Sequence, residues 1–262
     1  MSLLQLQTVG KVFGGLQALR SVDLRVEPNQ IFGLIGPNGA GKTTLFNVVT
    51  GVYQPDQGGV LFDGQQIAGL RPIAIAQRGI ARTFQNIRLF RSMTVEENVM
   101  VAGHHMRRAG ILGEIFRTPK HAEDERRLKK RSHELLELLN LLPLRAEAAG
   151  SLPYGSQRRL EIARALMLDP KLILLDEPAA GMNSQEALAL NEQIRFLRDQ
   201  LKLTVMLVEH NMSVVMNVCD TIHVLDHGET IAEGTPADVR QNPKVLAAYL
   251  GTEAEAASGE TN

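Results

Sequence analysis

The chain carries a single cysteine, Cys219, among 262 residues, which excludes an internal disulfide and suits a reducing compartment. It has no surplus of either charge. Lys and Arg number 28 against 29 Asp and Glu, a formal net charge of -1, so no overall field draws it to nucleic acid or anionic lipid. It also lacks any apolar run near the roughly 18 residues that cross a bilayer. Met1-Ser2-Leu3-Leu4-Gln5 shows no basic start leading into an apolar core, so no leader is expected. These absences predict a soluble, cytosolic chain with no membrane span, reached by any membrane role only through a partner. There is no internal repeat. A hydrophobic content of 44% is enough for a sizeable core, in one large domain or one domain with a subdomain.

The most specific stretch is Gly36-Pro37-Asn38-Gly39-Ala40-Gly41-Lys42-Thr43, set between the apolar run Ile31-Phe32-Gly33-Leu34-Ile35 and Thr44-Leu45-Phe46-Asn47-Val48-Val49. It satisfies the G-x-x-x-x-G-K-[ST] phosphate-binding pattern in a strand-then-helix setting. Glycines let the backbone curl so that several N–H groups face one anion, and the helix that starts near Lys42 adds its positive end. Lys42 is expected to reach the β- and γ-phosphates, and the Thr43 hydroxyl to help hold Mg²⁺.

Residues 3–35 alternate apolar and polar in short pieces, which predicts an antiparallel β layer leading into the phosphate-loop strand. The helix after the loop is expected to stop at Gly51, with a turn at 55–59, a strand from Val60 and a hairpin at Asp63-Gly64. Residues 70–82 read as helical, and Ile80 to Phe84 as a strand ending at Gln85. From about 93 the pattern becomes helical and charged. Thr94-Val95-Glu96-Glu97 reads as a capping box, and Leu128, Leu135, Leu138, Leu139 and Leu142 make one stripe on a helix from His121. A helix from Ser156 to Leu168 follows, ended by Asp169-Pro170. Leu172 to Leu175 is a wholly apolar run, as in a parallel strand buried on both faces. Asn183 with Glu186 caps a helix whose buried side is Leu190, Ile194, Leu197 and Leu201. A strand at 203–208, a short helix to about Cys219, a hairpin across His227-Gly228 and a last helical pair after Thr235-Pro236 complete the chain.

Asp176-Glu177 directly follows the buried strand. A carboxylate there can lie beside bound phosphates and hold Mg²⁺, which gives Asp176 a role. Glu177, one residue further on, is placed to orient or deprotonate the attacking water.

At this point the residues resemble the ATP-binding cassette ATPases over nearly the whole chain. Leu152-Pro153-Tyr154-Gly155-Ser156-Gln157 and the helix after it are similar to that family's signature segment, usually opened by Leu-Ser-Gly-Gly-Gln. Gln85 after Thr83-Phe84 matches its glutamine loop, His210 after Val208-Glu209 its switch histidine, and Phe13 the aromatic that stacks on adenine. The resemblance implies an α/β fold: a P-loop NTPase core, with a mostly parallel sheet flanked by helices, an N-terminal antiparallel β layer and an inserted helical subdomain. A single domain over 1–251 is expected, with the helical subdomain at about 93–165 and a disordered tail at 252–262.

The implied activity is ATP hydrolysis with Mg²⁺. Glu177, His210 and Gln85 would act on the γ-phosphate and water. Nucleotide would be bound by Phe13, Gly36, Asn38, Gly39, Ala40, Gly41, Lys42, Thr43 and Thr44, and Mg²⁺ by Thr43, Gln85 and Asp176. Two ATPase subunits, alike or different, would meet head to tail around two ATP molecules. Pro153, Tyr154, Gly155 and Ser156 of one would then cover the other's ATP, and Asn183 would stand where an aspartate normally couples the sites.

Here the signature departs from the family pattern. Pro153 replaces its serine, Tyr154 its first glycine and Ser156 its glutamine, and Ala180-Gly181-Met182-Asn183 replaces Ser-Ala-Leu-Asp. Those departures, with Gly234-Thr235-Pro236, the ending Ala247-Ala248-Tyr249-Leu250-Gly251 and the charged insertion around 104–143, resemble the larger ATPase of bacterial branched-chain amino acid importers. That subgroup implies two permease partners and an extracytoplasmic amino-acid-binding protein, with the ATPase peripheral on the cytoplasmic face of the inner membrane. Related cassettes serve urea or amide uptake and lipopolysaccharide export, and those cargoes are the alternative. A nucleotide-gated clamp on nucleic acid or ribosomes fits poorly with one cassette and near-zero net charge.

Overall fold

Three five-residue segments, Ile31–Ile35, Leu172–Asp176 and Thr204–Val208, are buried at every position, the mark of strands covered on both faces. The computed structural model describes residues 1–103 and 119–249. In chain order the first elements are β1 (Leu4–Phe13), β2 (Leu16–Val26), β3 (Ile31–Ile35), α1 (Lys42–Val49), β4 (Gln57–Phe62), β5 (Gln65–Gln66), α2 (Pro72–Gln77) and β6 (Ile80–Arg82). There follow α3 (Val95–Ala102), α4 (Pro119–Leu138), α5 (Tyr154–Leu166), β7 (Leu172–Asp176), α6 (Ser184–Leu201) and β8 (Thr204–Val208). The last are α7 (Met212–Val218), β9 (Thr221–Asp226), β10 (Glu229–Gly234) and α8 (Pro236–Gln241). Part of the charged insertion, 104–118, and the expected tail at 252–262 lie outside the described residues.

The chain divides into two compact units, Met1–Arg82 with Lys171–Asn262, and Thr83–Pro170. The first holds a six-stranded sheet in the order β10-β9-β3-β8-β7-β6, parallel from β9 to β6, with β10 antiparallel at the edge. It also holds a four-stranded antiparallel sheet in the order β2-β1-β4-β5. One core joins the two sheets. Phe32, Leu34, Leu172, Leu174, Met206 and Val208 from the parallel sheet meet Leu45, Phe46 and Val49 of α1, with Leu4, Leu6, Val22 and Phe62 from the antiparallel one. Alternate strand positions make this possible, since side chains along a strand point to opposite faces.

The second unit is helical. A capping box opens α3: Thr94 Oγ1 accepts from Glu97 N–H, and Glu97 Oε2 from Thr94 N–H, as the Thr-x-x-Glu spacing predicts. Buried Asn98 ties α3 to the preceding segment by accepting from Phe90 N–H and donating to the Phe90 carbonyl, each at 3.0 Å.

Several boundaries differ from the sequence expectation. The strand at Ile80 ends at Arg82 rather than Phe84, because the Phe84 and Gln85 carbonyls take the Arg158 guanidinium instead of a strand neighbour. The signature helix α5 begins at Tyr154, with Pro153 as N-cap, rather than at Ser156. Helix α4 stops at Leu138, and Asn140 turns left-handed (φ 55), a conformation asparagine tolerates. Leu136 and Leu141 are therefore buried while Leu142 is only partly so. Leu201 is 40% exposed rather than buried: Lys202 ends α6 in the left-handed region, and buried Leu203 bonds back to the Leu197 carbonyl in its place.

Close packing across the central strand gives a direct test. A Cβ at Gly33 would stand 2.8 Å from Cys219 Sγ, and burial pushes the Cys219 thiol pKa well up. Gly33→Ala is expected to lower the unfolding free energy by about 1–3 kcal/mol. Adding Cys219→Ala should return part of that loss in urea unfolding, and a Gly33→Ala chain as stable as its parent would contradict the packing.

Candidate functional site

The phosphate loop leaves β3 at its carboxyl end. Gly36 sits at φ 149, with the Leu225 carbonyl oxygen only 2.0 Å from where a Cβ would be, and Gly41 caps α1 at φ 103. Both positions demand glycine, one for closeness and one for a left-handed turn. Gly36 and Ala40 are buried, whereas Asn38 and Gly39 are exposed. Lys42 is buried, and its Nζ donates to the Gly36 and Pro37 carbonyls at 2.7 Å each. Burial lowers its pKa, opposed by the nearby Glu177 charge. Thr43 is exposed and Thr44 partly buried on the first turn of α1.

The neighbouring strands bring the acidic groups. Asp176 closes β7, is 5% exposed, and its Oδ2 accepts from Arg82 Nη2 at 2.7 Å. Arg82 also donates to Asn47 Oδ1 of α1 at 2.7 Å. Glu177 adopts φ 47, costly for a residue other than glycine and most often tolerated where function needs it. Its Oε1 lies 2.6 Å from His210 Nε2. The structure thus brings Lys42, Glu177 and His210 together at the carboxyl ends of β3, β7 and β8, where open α/β sheets bind ligands.

Two further expected residues lie in the same unit. Phe13, 38% exposed, packs edge-on against Tyr53 at 5.0 Å, with Lys11 Nζ 5.3 Å from its ring centre. Asn183 caps α6, its Oδ1 accepting from Gln185 and Glu186 N–H, so that side chain is already occupied by its own helix.

Gln85 and the segment from Pro153 to Ser156 belong to the second unit. Buried Arg158 links them there. It donates to the Phe84 carbonyl (2.8 Å), the Gln85 carbonyl, the Tyr154 hydroxyl (2.9 Å) and Glu161 (3.0 Å). Burial raises the Glu161 pKa, and the Arg88 N–H and Arg158 work against it. Pro153 and Tyr154 are exposed and Gly155 half-buried. Ser156 is buried, its hydroxyl accepting from Arg159.

Residues 19–180 match the family described as ABC transporter. The chain belongs to the ABC transporter family. Residues 229–255 of the cassette match the family described as branched-chain amino acid ATP-binding cassette transporter. The cassette is 47% identical to the high-affinity branched-chain amino acid transport ATP-binding protein BraF of Pseudomonas aeruginosa, over 91% of this chain and 94% of that one. It is 45% identical to LivG of Escherichia coli K12, described in the same words, over the same shares. The crystal structure of the ADP conformation of MJ1267, an ATP-binding cassette of an ABC transporter, superposes with a TM-score of 0.84 at 34% identity, covering 96% of this chain and 99% of that one.

The cassette therefore binds nucleotide, and its donor set can be compared with Mg²⁺. Among the described residues no group of three or more His, Cys, Asp or Glu could hold a metal. Thr43 and Asp176 offer a hydroxyl and a carboxylate. So few hard oxygen donors fit Mg²⁺, which keeps waters and phosphate oxygens in its shell, better than they fit a caged Ca²⁺ or Zn²⁺.

Sequence reasoning missed Arg82, Arg158 and Glu209. The last carries a readable signal: like Glu177, it comes directly after a strand buried at every position. Breaking a buried ion pair from one side is strongly destabilising, so Arg82→Met should lower the unfolding free energy by about 3 kcal/mol. In an Asp176→Asn background the same change should cost clearly less. Equal costs in both backgrounds, measured by urea unfolding, would show that the pair is not coupled.

Proposed function

We propose that the cassette binds ATP on Gly36–Thr43 and hydrolyses it at Glu177, as the energy-supplying subunit of a branched-chain amino acid importer. The observation that carries the hydrolytic reading is the 2.6 Å approach of His210 Nε2 to Glu177 Oε1, on the same strand-end rim as buried Lys42. In this reading Lys42 leaves the Gly36 and Pro37 carbonyls for the β- and γ-phosphates, and Phe13 stacks on adenine. Glu177 takes a proton from the water that attacks the γ-phosphorus, the bond from that phosphorus to the bridging oxygen breaks, and ADP and phosphate leave. His210 holds the Glu177 carboxylate and contacts the γ-phosphate. Thr43 and Asp176 would hold Mg²⁺, which offsets phosphate charge when bound.

A second ATPase subunit, alike or different, would complete each site. The first turn of α5 after Pro153 would present backbone donors and a positive helix end to the partner's γ-phosphate. Pro153 and Tyr154 lack the hydroxyl and the glycine of the usual segment, so closure would rest on backbone donors. The cargo reading is supported by the description attached to residues 229–255 and by the names of BraF and LivG. It implies two permeases, an extracytoplasmic binding protein, and attachment to the cytoplasmic face of the inner membrane through the permeases. No helix among the described residues is long and apolar enough to cross a membrane, which is consistent with that attachment.

Glu177→Gln should keep ATP binding and lose hydrolysis by at least ~10²-fold, the scale of a lost general base. Lys42→Ala should weaken nucleotide binding itself. Turnover near the parent rate in the first, or unchanged ATP affinity in the second, would overturn the corresponding assignment. Cells lacking the gene should lose high-affinity uptake of radiolabelled leucine, isoleucine and valine, and regain it with the wild-type chain but not with Glu177→Gln. Unchanged uptake of all three would redirect the cargo to urea, amides or lipopolysaccharide.

A further inference from the structure

Strands β7 and β8 run parallel in register, with Asp176 opposite Val208. Glu177 and Glu209 are therefore the first residues beyond the paired ends. Glu177 N–H donates to the Val208 carbonyl at 2.9 Å, which starts a left-handed turn at φ 47. The turn has one bond of its own, from Ala180 N–H to the Glu177 carbonyl at 3.2 Å, and a glutamate in this region is strained and persists only where its surroundings enforce it.

Glu209 supplies such enforcement. It is only 3% exposed, and both its oxygens accept backbone N–H groups from two different loops. Oε1 accepts from Ala179 at 2.6 Å, two residues past Glu177. Oε2 accepts from His210 at 3.0 Å and from Asn211 at 3.1 Å. A buried carboxylate is costly unless hydrogen-bonded, and charge-assisted bonds of this kind are among the stronger ones. Burial, reinforced by the Glu177 charge, raises the Glu209 pKa, and the three N–H groups oppose that rise.

We infer that Glu209 is a positioning residue for ATP hydrolysis: its carboxylate clamps the loop after Glu177 to the loop carrying His210, and so sets the distance between those two side chains. The inference rests on the hydrolytic reading above. Nothing in it requires Glu209 to touch nucleotide. A glutamine in its place keeps the shape but has one oxygen instead of two, and its NH₂ cannot accept an N–H. Whichever way the amide turns, one of the two loops loses its acceptor, and the Glu177–His210 geometry loosens.

The test uses the full chain with Mg²⁺-ATP. Glu209→Gln is expected to lower kcat by about 10-fold or more, since a displacement near 1 Å can cost about 10²-fold. KM and ATP affinity should stay within about threefold, because the phosphate loop is untouched. Added to Glu177→Gln, the same change should alter the residual rate by less than about twofold, as expected for residues acting as one unit. A kcat within about twofold of the parent, a loss carried by KM, or full additivity with Glu177→Gln would overturn the inference. Should the variant not fold, amide exchange in the wild-type chain decides instead. Ala179, His210 and Asn211 amides that exchange slowly and together support the clamp, and amides that exchange as fast as exposed loops refute it. A wild-type chain without ATP hydrolysis would defeat the functional reading alone, leaving amide exchange to judge the clamp.

Discussion

The in-register parallel pairing of β3, β8 and β7 is the constraint on which the rest depends. Ile31 lies opposite Val205, and Val205 in turn opposite Ile173, so three strands end on one rim. Each then releases a segment proposed to act on nucleotide or to position those that do: the phosphate loop after Ile35, Glu177 after Asp176, and Glu209-His210 after Val208. A slip of one residue would turn every side chain of a strand to the other face. Phe32, Leu34, Leu172, Leu174, Met206 and Val208 all point into the core that holds α1, and a slip would take the displaced strand's members out of it.

Charge is then managed at the rim by a few buried partners. Arg82 binds Asp176 and reaches Asn47 on α1, so one cation joins the acidic strand end to the helix that follows the phosphate loop. Lys42 donates to two carbonyls of its own loop. Arg158 does comparable work in the other unit, where it gathers the backbone at Gln85 and the hydroxyl of Tyr154. Tyr154, which looks in the sequence like damage to a glycine motif, is thereby a partner of that arginine.

Local chemistry was the legible part of the chain. The phosphate loop could be read because few residue types satisfy its turns. The boxes at Thr94-Glu97 and Asn183-Glu186 were readable because both partners lie three residues apart. Strands buried on both faces declared themselves by unbroken apolar runs. What could not be read were bonds between distant residues. Arg82 and Asp176 are separated by 94 positions, and Ala179 and Glu209 by 30; no spacing rule links them. Leu201 was misread because helical periodicity does not announce the left-handed turn at Lys202, and Phe84 because a neighbouring arginine, not its own propensity, decides where its carbonyl goes.

The central claim is that the rim made by β3, β7 and β8 is built to receive and cleave a nucleotide triphosphate. A crystal structure of the full chain with Mg²⁺ and a non-hydrolysable ATP analogue tests it most directly. The account predicts that Lys42 Nζ has left the Gly36 and Pro37 carbonyls for the β- and γ-phosphates, with the Glu177 carboxylate and His210 ring facing the γ-phosphate. An analogue bound elsewhere, or Lys42 still on its own loop carbonyls beneath the phosphates, would contradict it.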